Sequence, residues 1–129
     1  MPVVVDASAI GAIMFDEPEG PTLAAHLEGE TLLAPALLDF ELMNLSVTKA
    51  RRRPDRLESI ALQLAAALAL PIARVAVPGP EVFALATHTG LTAYDASYLW
   101  LARSRDAELV TLDQHLLRLS DEPPGTDRA

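Results

Sequence analysis

The chain has 129 residues, a formal net charge of −8 and no cysteine, with 50% hydrophobic and 22% charged residues. That length suits a single domain, and the apolar fraction excludes a disordered chain, which could not offset its ordering entropy. Without Cys there is no disulfide framework, no thiolate nucleophile and no Cys-built zinc site, and an aromatic content of 5% argues against a base-stacking platform.

Residues 2–5 form a short β-branched run, expected to be a buried strand ending at Asp6. Helical composition follows over 7–15, closed by Asp16-Glu17-Pro18-Glu19-Gly20, and again over 22–27. Residues 31–34 are a candidate second strand. Pro35 suits the first turn of a helix running to about residue 52. Arg53-Pro54 breaks it, and an Ala/Leu-rich helix is expected over 55–70, ended by Pro71. A third strand is expected over 72–77, helices over 81–89 and 94–105, a fourth strand over 108–112 and a short helix over 114–119. The polar, Pro-containing tail over 122–129 is expected to fray. Short buried strands alternating with helices imply an α/β fold with a mainly parallel sheet of about four to five strands flanked by helices. No apolar run approaches the roughly 18 residues of a membrane span. The opening Met-Pro-Val-Val-Val-Asp has no basic region, so neither a signal peptide nor a membrane partner is expected, and the location is read as cytoplasmic.

Four acids attract attention. Asp6 and Asp113 end strands, and each would also serve as the cap of the helix that follows. Asp95 stands in the first turn of its helix, three residues after Thr92, in a capping-box-like arrangement. Each of these, taken singly, is explained as well by capping as by chemistry. Glu41 differs. At 100° per residue from Leu37 it lies at about 40°, with Asn44 at about 340° and Thr48 at about 20°. Apolar residues flank this strip on both sides, while Asp39, Ser46 and Ala50, at about 180–220°, form the expected solvent face. An enclosed polar strip must meet a partner, a metal or a wet cleft, because a buried unpaired carboxylate is prohibitively costly.

Parallel topology can bring Asp6, Asp95 and Asp113 to one sheet edge, beyond the carboxyl ends of the strands. Two carboxylates about 5 Å apart repel by about 3 kcal/mol at an effective dielectric near 20. A group of them is protonated, paired with cations or occupied by metal. An all-oxygen set suits Mg²⁺ or Mn²⁺, and such ions activate water against a phosphodiester.

The segments PVVVDAS, PALLDFELMN, LTAYDASYLWLA and ELVTLDQHL together resemble the motifs of PIN-domain ribonucleases. The likeness is greatest to the VapC-like toxins of type II toxin–antitoxin modules. It spans nearly the whole chain in order, and four weak motifs in series are specific where one is not. The resemblance implies a single PIN-like domain over residues 1–121 and a metal-dependent endoribonuclease acting as the toxin of a toxin–antitoxin pair. It assigns Asp6, Glu41, Asp95 and Asp113 as the catalytic acids, holding one or two Mg²⁺ or Mn²⁺ ions. Ser8, Asn44 and Thr111 match supporting positions, although a helix-start hydroxyl accounts equally for Ser8 and a β-branched strand residue for Thr111. RNA is the implied substrate and an antitoxin protein the implied partner. The alternative is a PIN-fold module that binds RNA or protein without cleaving, which the four intact acids oppose.

Lys49, Arg51, Arg52, Arg53 and Arg56 place five of the ten cations within one short stretch. They read either as a solvated helix end favouring the macrodipole or, for Lys49, Arg51, Arg52 and Arg53, as contacts to RNA phosphates. His26, His88 and His115 lack ligand spacing. Trp100, Tyr94 and Tyr98 share a helix and read as core or interface. Apolar Leu57, Ile60, Ala61 and Leu64, with the Trp100 helix, suggest a homodimer face. A phosphoacceptor receiver is disfavoured, since the only Lys lies inside a helix. A phosphatase with D-x-D on the first strand is also disfavoured, because Asp6 is followed by Ala7-Ser8.

Overall fold

Val3, Val4 and Val5 are β-branched without polar alternation, a pattern that suits a strand covered on both faces. All three are buried in β1 (Pro2–Val5). The computed structural model describes residues 1–122. After β1 the chain forms α1 (Ala7–Met14), α2 (Gly20–Leu27), β2 (Thr31–Pro35) and α3 (Leu38–Arg52). A 3₁₀ turn (Pro54–Arg56), α4 (Leu57–Leu68), β3 (Ile72–Val75) and α5 (Gly79–Thr89) follow, then α6 (Ala93–Ser104), β4 (Glu108–Val110) and α7 (Gln114–Asp121). The tail expected over 122–129 falls, from residue 123 onward, outside the described residues.

The four strands form one parallel sheet in the order β3-β2-β1-β4, the α/β class expected from the alternation of strands and helices. Right-handed crossovers place α1 to α4 on one face, and the return from β3 to β4 places α5 and α6 on the other. Accordingly α1 packs on α3 and α4, while α6 lies across β1, β2 and β4. Gly11 allows α1 and α3 to approach closely: a Cβ there would stand 3.1 Å from Leu45 Cδ1. No helix among the described residues is long and apolar enough to cross a membrane.

Two local expectations are corrected. Pro35 does not open the third helix. It ends β2, paired with Val75 of β3, where a missing N–H forfeits only the last donor of the strand, and the helix starts at Leu38. The solvent face assigned to that helix is also wrong. Ser46 is buried and donates to the Leu42 carbonyl at 2.9 Å. Asp39 accepts from Arg74 Nε at 3.0 Å and Nη2 at 2.7 Å. α4 packs on α3, and Arg74 reaches Asp39 from β3. Leu38, Leu42 and Ser46 therefore form the buried stripe, and Phe40, Asn44, Val47 and Thr48 are exposed.

An acidic cleft at the carboxyl edge of the sheet

The strand order reverses between β1 and β4, and crevices form where it does so, beyond the carboxyl ends of the strands. Asp6 follows β1 directly, and Asp113 follows the exit from β4. Glu41 and Asp95 enter from the first turns of α3 and α6. All four carboxylates line one open cleft of ≈ 590 Å³, with Ser8, Asn44 and Tyr98.

Asp6 both caps a helix and faces the cleft. It is 6% exposed. Its Oδ1 accepts from the Ala9 amide at 3.1 Å and from Ser8 Oγ at 2.7 Å, and its Oδ2 accepts from Thr111 Oγ1 at 2.5 Å. Burial pushes its pKa above the ordinary carboxylate value, and the bonds from Thr111, Ser8 and Ala9 pull it partly back. The two hydroxyls also receive backbone bonds: Leu112 N donates to Ser8 Oγ at 2.9 Å and Asp113 N to Thr111 Oγ1 at 3.0 Å. Ser8 and Thr111 thus lock the β1–α1 junction to the β4–α7 junction with Asp6 between them. Asp113 caps α7, its Oδ1 accepting from Leu116 N at 3.0 Å.

The start of α6 is capped by Thr92, whose Oγ1 accepts from Asp95 N at 3.1 Å. The carboxylate of Asp95 is therefore not needed as a cap and lines the cleft instead. Burial raises its pKa, and the charges of Asp113 and Asp6 raise it further. Glu41 Oε1 accepts from the Tyr98 hydroxyl at 2.6 Å. Burial lifts the Glu41 pKa, Tyr98 lowers it, and Asp6 and Asp95 add to the rise. Tyr98 is itself held well above the ordinary phenol value by burial and by Glu41, so it stays a donor.

Among the described residues no group of three or more His, Asp or Glu side chains forms a ready-made metal cage. The donor chemistry nevertheless fits Mg²⁺ or Mn²⁺. It is all oxygen and strongly anionic, and Mg²⁺ keeps several waters and binds through only one or two carboxylates. The raised pKa values of Asp6, Glu41 and Asp95 mark an arrangement that a cation would relieve.

The basic segment borders this cleft unevenly. Lys49, Arg52 and Arg53 line a second groove that shares Ser8 and Leu45 with the first. Lys49 Nζ stands 4.2 Å from the centroid of the Phe15 ring, and Arg53 pairs with Asp55 at 3.0 Å. Arg51 is exposed on α3 and lines neither groove. Of the suggested dimer residues, Ile60 is 3% exposed and belongs to the interior, whereas Leu57 and Ala61 are exposed on α4.

Tyr98 was not among the site residues expected from sequence. Its signal was its position three residues after Asp95, the spacing that puts two side chains on one helix face. Phe40 and Tyr94 also line the cleft, exposed at its rim.

Residues 3–122 match the family model of the PIN domain. Ribonuclease VapC3 of Pyrobaculum aerophilum is 34% identical over 121 residues, covering 90% of this chain and 92% of that one. Ribonuclease VapC12 of Mycobacterium tuberculosis is 29% identical over 114 residues, 88% of each chain. A crystal structure of a Pyrobaculum aerophilum protein superposes with a TM-score of 0.76 at 30% identity, covering 94% of this chain and 89% of that one.

Proposed function

The chain belongs to the PIN-domain family, and on that premise we propose that it is a metal-dependent endoribonuclease, the toxin of a toxin–antitoxin pair. The observation that carries the reading is the meeting of Asp6, Glu41, Asp95 and Asp113 in one cleft. The two relatives named ribonucleases, aligned over most of the chain, support it.

Asp6, Glu41, Asp95 and Asp113 would hold one or two Mg²⁺ or Mn²⁺ ions. Bound there, such an ion supplies a water of lowered pKa and offsets the charge that builds on a phosphodiester under attack. The protein's share is positional. Ser8 and Thr111 hold both oxygens of Asp6, Tyr98 holds one oxygen of Glu41, and Asn44 adds an amide at the wall. Lys49, Arg52 and Arg53 provide a track for the RNA backbone, which a chain of −8 otherwise repels. Arg51, farther out, contributes to the same field.

An anionic cleft is also a receptor for a guanidinium or ammonium group. We assign the antitoxin that role: one of its Arg or Lys side chains would neutralise the four acids and exclude metal. The exposed apolar side of α4, with Leu57, Ala61 and Leu68, is the surface we assign to a second copy of the chain.

The decisive experiment maps new RNA 5′ ends after brief expression of the wild type and of Asp6→Asn. New ends that appear only with the wild type, and only with divalent metal in the purified reaction, are the expected result. Identical end patterns from both proteins would reject the nuclease reading. Co-purification of an antitoxin with the wild type, and its release by charge reversal at Asp95, tests the second role.

A further inference from the structure

Two large aromatic side chains stand exposed at the mouth of the acidic cleft, Phe40 at 70% and Tyr94 at 64% exposure. Each directly precedes a cleft carboxylate, Glu41 or Asp95, in the first turn of its helix. One residue is about 100° of helix rotation. A helix that turns its acid into the cleft therefore sets the preceding side chain at the rim, and α3 and α6 do so from different elements. Neither ring belongs to the hydrophobic core. A single exposed aromatic is unremarkable, but two at one mouth, each beside a pocket acid, are not explained by folding.

We propose that Phe40 and Tyr94 are stacking rings that grip nucleobases flanking the scissile phosphate. The inference rests on the endoribonuclease reading, under which the group between the acids is a phosphodiester of RNA with a base on either side. Four carboxylates give such a ligand no attraction of their own, and Lys49, Arg52 and Arg53 line the adjoining groove and not this cleft. Stacking works regardless of charge, and every base has a π-face, so the grip tolerates sequence. The low aromatic content of the chain argues against a broad platform but leaves room for two rings placed at one site. The substrate must then expose unstacked bases at the cleavage point, as single strands and loops do and duplexes do not.

The test uses a short unstructured RNA carrying 2-aminopurine at successive positions, with Ca²⁺ in place of Mn²⁺ to slow turnover. Wild-type protein should quench the probe at one or two adjacent positions. Phe40→Ala and Tyr94→Ala should each weaken binding about tenfold and lose the quench at one position, while Tyr94→Phe restores it. Both rings are exposed, so the melting temperatures should match the wild type. An abasic site at the quenched position should remove the difference between wild type and the Ala variant. Wild-type affinity in both Ala variants, or an equal loss on abasic and intact RNA, would overturn the proposal. So would variants that lose only antitoxin binding. Failure of the nuclease reading is read separately: quenching that persists with no Mn²⁺-dependent cleavage rejects catalysis and leaves the stacking rings standing.

Discussion

Tyr98, whose ring is buried in the core, donates from its hydroxyl to Glu41 Oε1 at 2.6 Å, joining α6 to α3 across 57 residues of chain. The bond engages one oxygen of Glu41 and holds its carboxylate beside the cleft. Partners of this kind tune metal affinity by about 10–100-fold. Tyr98→Phe keeps the ring and removes the donor. It should raise the Mn²⁺ concentration at half-maximal thermal stabilisation about tenfold, with a smaller change in the metal-free melting temperature. An unchanged Mn²⁺ midpoint would show that Tyr98 serves packing alone.

Asp6 depends on Thr111 and Ser8 in the same way, but deeper in the protein. Thr111→Val preserves shape and leaves Asp6 Oδ2 without its donor, and a lost bond to a buried carboxylate costs about 2 kcal/mol. Chemical denaturation should show that loss without metal, and cleavage should fall at saturating RNA. Ser8→Ala should act likewise and also free the Leu112 amide. Wild-type stability and cleavage in both variants would remove these hydroxyls from the site.

Burial raises the pKa of Asp6, Glu41 and Asp95 in the folded chain. The folded state therefore binds more protons than the unfolded state between the ordinary carboxylate value and the raised ones. By linkage, metal-free stability falls as pH rises through that window and stays reduced above it. Ligation takes the ionised forms, so millimolar Mn²⁺ should raise the melting temperature most at neutral pH. Asp95→Asn should shrink that gain, and Asp6→Asn should flatten the metal-free pH slope. A melting temperature indifferent to Mn²⁺ at every pH would sink the metal site.

Asp39 and Glu41 lie two residues apart on α3 and do unrelated work. Asp39 pairs with Arg74 at 2.7 Å and ties α3 to β3. Asp39→Asn should cost about 1 kcal/mol of stability, a modest figure because both partners are partly exposed, and should leave cleavage intact. Glu41→Gln should abolish cleavage and relieve repulsion in the metal-free cleft. The reverse pattern, with Asp39 needed for cleavage and Glu41 dispensable, would refute the site as drawn.

Arg52 and Arg53 line the groove beside the cleft, and Arg51 does not. Replacing Arg52 and Arg53 with Ala should weaken RNA binding broadly and reduce its salt dependence by about one phosphate contact each. Cleavage at saturating RNA should persist, since the interaction lost is equal in ground and transition states. Arg51→Ala should change the salt slope less. Equal slopes in all three variants and the wild type would assign this segment to solvation.

The order of elements, the parallel sheet and the convergence of Asp6, Glu41, Asp95 and Asp113 on one cleft were legible in the sequence, partly from local signals and partly from the likeness to a known family. β-Branched runs mark buried strands, Pro and Gly mark their ends, and acids at the carboxyl ends of adjacent parallel strands, as with Asp6 and Asp113, can fall together. Which neighbour covers which side of a helix is not local. The α3 wheel separated two polar stripes correctly and assigned solvent to the wrong one, because it carries no information that Arg74 would claim Asp39 or that the fold would bury Ser46. Pro35 fits a helix start by propensity, and its pairing with Val75 decided for the strand. Tyr98 read as core, and it is core, yet its hydroxyl meets Glu41 only because α3 and α6, on opposite faces of the sheet, both border the cleft at its carboxyl edge. Hydrogen bonds spanning 57 and 105 residues are set by topology, and burial then makes them obligatory, since a buried carboxylate must find its donors wherever the fold has placed them.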